Sequence, residues 1–144
     1  MEIMTVGKVI VPARIENLQD AYDVEKGVLR AEELRTVEVC DALVDTGATL
    51  LSIPRRLIVQ LGLTRRRART ARTAAGIVSF GIFGGVRLTI QGRDCIAEVC
   101  EVPDECPVLI GQTPLELLDF VVDPIGQRLI GNPEHGGEQM IDVF

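Results

Sequence analysis

A mainly-β fold is predicted by three features of the sequence. Runs rich in Val, Ile and Thr recur at close spacing, turns bearing glycine or proline separate them, and segments of helical period are short. The chain has 144 residues, a length for one domain able to bury roughly two-thirds of its unfolded surface. It is 47% hydrophobic but only 3% aromatic, with no Trp, so aliphatic side chains have to fill the core. A mean hydropathy of +0.24 argues against a disordered chain.

The elements follow in order. Residues 6–15 alternate loosely and are rich in β-branched side chains, which predicts a first strand. Residues 19–34 are charged and irregular and read as a long loop with room for about one helical turn. Residues 36–44 predict a second strand, running straight into Asp45-Thr46-Gly47. Pro54 opens a short helical pattern in which Leu57, Ile58 and Leu61 share one face and Gly62 is the stop. Residues 65–90 are extended again, interrupted at Ala74-Ala75-Gly76 and at Gly84-Gly85. A Gln91-Gly92 turn joins residues 86–90 to 95–102 as a hairpin.

After a loop at 103–107 comes Val108-Leu109-Ile110-Gly111, and then a second helix start. Thr113, Pro114 and Glu116 have the spacing of a capping box. Residues 120–123 and 127–130 are expected to pair around Pro124-Ile125-Gly126, completing a domain of residues 1–131. Residues 132–144 are expected to be a polar, mobile tail. An apolar strand leading to a turn and a helix thus occurs twice, a faint echo of internal duplication.

The run from Ala42 to Thr49 carries the chemistry. An apolar strand ends on Asp45, a carboxylate that is expensive at the end of a buried strand unless paired or used. Thr46 can hydrogen-bond locally, and Gly47 can take backbone angles closed to other residues. Asp-x-Gly is also ordinary turn chemistry, so a purely structural Asp45 is the alternative.

The combination of Ala42-Leu43-Val44-Asp45-Thr46-Gly47-Ala48-Thr49, a helix ending in Leu61-Gly62-Leu63, Val108-Leu109-Ile110-Gly111 before another helix, and Phe120-Val121-Val122-Asp123-Pro124 resembles the retropepsin-like aspartic proteases, especially their small bacterial members. The resemblance spans about residues 36–131. The bare Asp-Thr-Gly tripeptide arises by chance in about 3 of 100 chains this long, so the flanking apolar and small residues and the second apolar-glycine element supply the specificity.

The resemblance implies a closed β-barrel, an acid-protease half-domain with two short helices, working as a homodimer on peptide or protein substrates. It implies Asp45 as the catalytic residue, with Thr46, Gly47 and Ala48 supporting it. Ile110 and Gly111 would form the second apolar-glycine element. Ala74, Ala75 and Gly76, with Ile77 beside them, would tip a flap that closes on substrate, and Ile77 and Ile110 would be among the aliphatic residues lining the cleft. Gln112 stands where the retroviral pattern has Arg, and the flap tip is poorer in glycine than the retroviral one. The rival reading is a catalytically silent dimerisation or peptide-binding module on the same fold. A third is a latent enzyme awaiting a partner or trimming of its termini.

Other chemistries find no support. The formal net charge of −6 opposes general nucleic-acid binding. Arg65, Arg66, Arg67, Arg69 and Arg72 lack interleaved aromatics and read as a solvated edge strand, ahead of a site for acidic substrate segments. Cys40, Cys95, Cys100 and Cys106 lack C-x-x-C spacing and read as small buried hydrophobes. The one histidine, His135, sits in the tail, which disfavours a Cys–His hydrolase or a zinc site; no metal or cofactor is expected. Neither Ser52 nor Ser79 lies in G-x-S-x-G, and neither Lys8 nor Lys26 follows a phosphate-binding loop. With no secretory pattern and no apolar run of membrane-spanning length, a cytoplasmic protein free of membrane is expected.

Overall fold

The computed structural model describes residues 8–143. Nine strands are present among the described residues: β1 (Val9–Asn17), β2 (Thr36–Val44), β3 (Leu51–Pro54), β4 (Thr64–Thr73), β5 (Gly76–Ile90), β6 (Arg93–Val102), β7 (Leu109–Ile110), β8 (Phe120–Asp123) and β9 (Arg128–Gly131). Three α-helices accompany them: α1 (Leu18–Glu25), α2 (Arg55–Leu61) and α3 (Gln112–Leu118). The predicted first strand is present from Val9, and its residues 6 and 7 lie outside the described residues.

Seven strands form one sheet in the order β1-β2-β7-β3-β6-β5-β4, and β1 also pairs with β5. The pairing thus returns on itself, leaving β4 on the outer side of β5. β8 and β9 make a separate antiparallel pair. Two pairings are parallel, β2 with β7 and β3 with β6, while β7 and β3 run antiparallel. β7 is consequently wedged between the end of β2 and the start of β3.

The core is aliphatic, as composition requires. Val9, Val11, Ala13 and Ile15 point inward at alternate positions of β1 and meet Leu51 and Ile53 of β3, Val86, Leu88 and Ile90 of β5, and Leu115 and Leu118 of α3. Among the described residues Phe120 is its one buried aromatic. β5 does two jobs: Val86, Leu88 and Ile90 are in the core, whereas residues 76–79 are exposed and pair with β4 in a hairpin beyond it.

Several expectations need correction. Among the described residues there are three α-helices rather than two, because α1 occupies part of the segment read as a loop. Asn17 caps it by accepting a hydrogen bond from the Asp20 amide at 3.0 Å, and Asn17 Nδ2 donates to the Leu61 carbonyl at 2.8 Å. Asp20 then accepts from Arg35 Nε at 2.8 Å and Nη2 at 3.0 Å, a two-pronged clasp joining α1 to the approach to β2. β5 runs through Gly84-Gly85 without ending, with a register shift between Phe83 and Val86. The Thr113 capping box is not formed, since Gly111 occupies the N-cap and Thr113 lies inside α3. Cys40 is exposed and the other three cysteines are half-buried, so none is fully buried, though Cys95 packs against the core. α2 and the Gln91-Gly92 turn match expectation, with Gly62 at φ 65°, Gln91 at φ 50° and Gly92 at φ 82°.

Beyond β9, a single turn of 3-10 helix at Pro133–His135 is tied to the domain. His135 Nδ1 lies 2.6 Å from Asp119 Oδ2, the Met140 amide donates to the same oxygen at 3.0 Å, and Arg93 contacts the Gly137 carbonyl. Among the described residues no helix is long and apolar enough to cross a membrane.

Two predictions follow from the polar clasps. Asp20 is held below its ordinary pKa of 3.8 by its hydrogen bonds to Arg35, so its contribution is present above about pH 4 and lost as pH falls through the folded value. Asp20→Asn is expected to cost about 1–2 kcal/mol in urea unfolding at pH 7, with the gap to wild type closing in acid. His135 is raised above its ordinary 6.5 by Asp119, and Asp119 is lowered below 3.8 by His135. The His135 contribution is complete below pH 6.5 and fades as pH rises through its folded value; that of Asp119 fades as pH falls. NMR titration should place His135 above 6.5 and return it towards that value in Asp119→Asn, a change that keeps a residue tolerant of the left-handed backbone at φ 60°.

Candidate active site

Asp45 stands one residue past β2, and its position is fixed by β7. Leu43 and Val44 pair in parallel with Leu109 and Ile110. The Leu43 amide donates to the Val108 carbonyl at 2.8 Å, and the Asp45 amide donates to the Ile110 carbonyl at 2.9 Å. The chain then turns back sharply. Asp45 Oδ1 accepts the Gly47 amide at 3.0 Å, and the Asp45 carbonyl accepts the Ala48 amide at 3.1 Å. The carboxylate is thereby oriented by its own turn.

Gly47 is not in the left-handed region, contrary to the reason the sequence offers for it. A Cβ there would lie 3.3 Å from Asp45 Oδ1. The glycine gives the turn amide a close approach to the carboxylate. Asp45 and Ala48 are half-buried, while Thr46 and Gly47 are exposed.

The start of α3 crosses directly against this turn. The amides of Gly111, Gln112 and Thr113 donate to the carbonyls of Leu50, Ala48 and Thr49 at 3.1, 2.8 and 2.9 Å. A Cβ on Gly111 would stand 2.5 Å from the Leu50 oxygen, 2.7 Å from the Thr49 carbonyl carbon and 2.8 Å from the Ala48 oxygen. No side chain fits between two backbones this close. The two segments that the sequence singles out are therefore interlocked through main-chain bonds.

Beside the interlock lies a cleft of about 820 Å³. Ala48, Thr49 and Leu50 border it, with Ser52 of β3, Cys100–Pro103 at the end of β6, and both strands of the β4–β5 hairpin through residues 69–73 and 78–80. Of the predicted site residues, Ala48 lines it. Asp45, Thr46 and Gly47 do not, and Ile110 is fully buried in the core. Ala74, Ala75, Gly76 and Ile77 sit at the hairpin tip, with Ile77 73% exposed, and lie outside the lining. Thr73 Oγ1 holds that tip, donating to the Gly76 carbonyl at 2.8 Å and accepting from the Ala75 amide at 3.1 Å. Gly76 takes φ 115°, which favours glycine.

Ser52 and Cys100 line the cleft although the sequence reading does not mark them as site residues, and Arg69 and Arg72, read there as part of a solvated edge strand ahead of a site for acidic segments, line it too. Ser52 was detectable as the one hydroxyl between two core residues of a four-residue strand. Burial pushes the Cys100 thiol up from its ordinary value, and burial drives Cys95 to about 11, so these thiols stay protonated near neutrality and neither is primed as a nucleophile. A smaller pocket of about 300 Å³, next to α1 and including Tyr22, Arg35 and Gly62, takes no residue from the Asp45 turn. No cluster of three or more His, Cys, Asp or Glu able to hold a metal ion occurs among the described residues.

Gly111→Ala tests the interlock. The methyl group has nowhere to go without separating two backbones, so the substitution is expected to cost about 3 kcal/mol or more. Chemical denaturation would measure it, and amide exchange should quicken at Gln112 and Thr113.

A family model described as aspartyl protease matches residues 33–114, more than half of the chain, taking in the Asp45 turn, the hairpin and the Gly111 crossing. No curated protein matches the chain. The mainly-β architecture, the Asp-Thr-Gly turn locked by a second apolar-glycine segment and this match agree: the chain belongs to the aspartyl protease family, of the retropepsin-like type.

Proposed function

We propose that the chain is an aspartic endopeptidase whose working form is a homodimer, with Asp45 of each protomer forming the catalytic pair. The observation that carries this reading is the Asp45 turn itself. Its carboxylate is oriented by the Gly47 amide, and its backbone is fixed by Ile110. Such rigidity suits a group that has to hold a water against a carbonyl. Asp-Thr-Gly occurs once in the sequence, so two carboxylates require two chains, related by a twofold axis that sets Asp45 against its counterpart.

Two carboxylates in contact cannot both ionise cheaply, so the pair shares one proton and titrates as a unit. The shared proton is the general chemistry of aspartic proteases, carried over to Asp45. The ionised member takes a proton from the water as its oxygen attacks the peptide carbonyl. The protonated member hydrogen-bonds the developing oxyanion, and a proton passes to the nitrogen as the C–N bond breaks. No acyl-enzyme forms. Thr46, exposed on the same turn, would brace the two turns across the axis. The hairpin tipped at Ala74-Ala75-Gly76 would fold over an extended substrate, excluding water from the reacting carbonyl. We assign this activity to the unit of residues 1–131, with residues 132–144 as an appendage to it.

The test is digestion of an unfolded peptide pool between about pH 4 and 7, read by mass spectrometry, for wild type and Asp45→Asn. Cleavage should fall at least about a thousandfold in the variant, with sedimentation showing an unchanged dimer. Equal cleavage by the two proteins would remove Asp45 from the mechanism.

A further inference from the structure

The arginines of β4 do not all have the same surroundings. Arg67 is paired with Glu98 on β6. Arg69 and Arg72 line the 820 Å³ cleft, and neither makes a salt bridge among the described residues. The one carboxylate on the lining, Glu101, is already engaged by Arg55 at 2.9 Å. Register places Arg69 opposite Phe80 and Ala71 opposite Val78, so the Arg69 cation shares a strand face with two apolar side chains that also line the cleft, whereas Arg72, opposite Ile77, belongs to the other face of β4 and borders the cleft at its rim. The result is an apolar wall with cations that lack an internal counter-charge, in a chain whose net charge is −6.

From this we propose that Arg69 and Arg72 make the cleft selective for peptides carrying an acidic side chain next to an apolar one. The proposal rests on the peptidase reading and adds to it a substrate class. A Glu or Asp entering the cleft meets the Arg69 guanidinium, which can bind a carboxylate through two parallel hydrogen bonds, and Arg72 at the rim adds positive charge. A basic side chain meets unopposed like charge, and this discriminates as strongly as the attraction does. The bland reading of these arginines as a solvated edge accounts for Arg65 and Arg66, which do not line the cleft, but not for the two that do.

The test uses two pools of randomised, apolar-rich peptides, identical except for Glu or Gln at one fixed position. Retention on immobilised Asp45→Asn protein reads binding without turnover, and digestion by the unaltered chain reads kcat/KM. The Glu pool should be favoured about fivefold at low salt, and the preference should vanish at about 1 M salt, where screening acts within about 3 Å. Arg69→Gln combined with Arg72→Gln should bring the ratio to about one. Arg69→Glu with Arg72→Glu should invert it when Lys replaces Glu in the pool. Arg67→Gln, which removes a cation already paired with Glu98, should keep the preference. Equal retention of the two pools, or none of either, overturns the proposal, and if both pools are cut the peptidase reading survives. A Glu preference in retention with neither pool cut supports the proposal and counts against peptidase chemistry. A preference that outlasts the double Gln variant, or that Arg67→Gln abolishes, overturns the assignment to these two residues.

Discussion

The fit of one backbone against another at Gly111 is the constraint on which the rest of the site depends. Three consecutive amides at the start of α3 bond the carbonyls of the three residues that follow Asp-Thr-Gly. Contact at that distance leaves no volume for a side chain on Gly111. Neighbouring β7 bonds reach the Asp45 amide and lock the other end of the turn. Main-chain bonds of this kind depend little on side-chain identity, so they can hold a carboxylate still while the surrounding cleft varies.

The architecture explains why the turn is held so firmly and the hairpin is not. Around the ring of pairings every strand from β1 to β7 except β4 has a neighbour on both sides along at least part of its length. β4 pairs on one side and is exposed along almost its whole length. Rigid support and a freer arm are thus built from adjoining parts of one sheet, and the cleft lies where they meet. The density of arginine on the free arm serves two purposes at different positions. It discourages strand addition at an open edge, and at Arg69 and Arg72 it gives the cleft a sign.

Much of this was legible in the sequence because it depends on local signals. Apolar alternation marked β1 and β2, the face shared by Leu57, Ile58 and Leu61 with Gly62 behind it marked α2, and Gln91-Gly92 marked its hairpin. The importance of Asp45 and Gly111 also showed, since a charge after an apolar strand and a glycine after an apolar strand are both conspicuous. What did not show depends on partners far away in the chain. α1 is weakly amphipathic, and it is anchored by Asn17 to Leu61 and by Asp20 to Arg35. Asn17 followed three residues later by Asp20 was the available cap signal, lost among the surrounding charges. The Thr113 cap failed for the opposite reason: the local pattern was good, but the Thr113 amide is committed to Thr49 across the interlock.

Sequence distance gives the interlock a further meaning. Asp45 is held by residues 108–113, which follow it by more than sixty positions. Pairings this far apart form late in folding, because a long loop has to close before they return anything. A growing chain therefore displays its Asp-Thr-Gly segment long before it contains the strand and helix that fix it. On the peptidase reading, competence for hydrolysis waits on near-completion of the domain, so a half-made chain has no fixed carboxylate with which to attack itself or the nascent proteins around it.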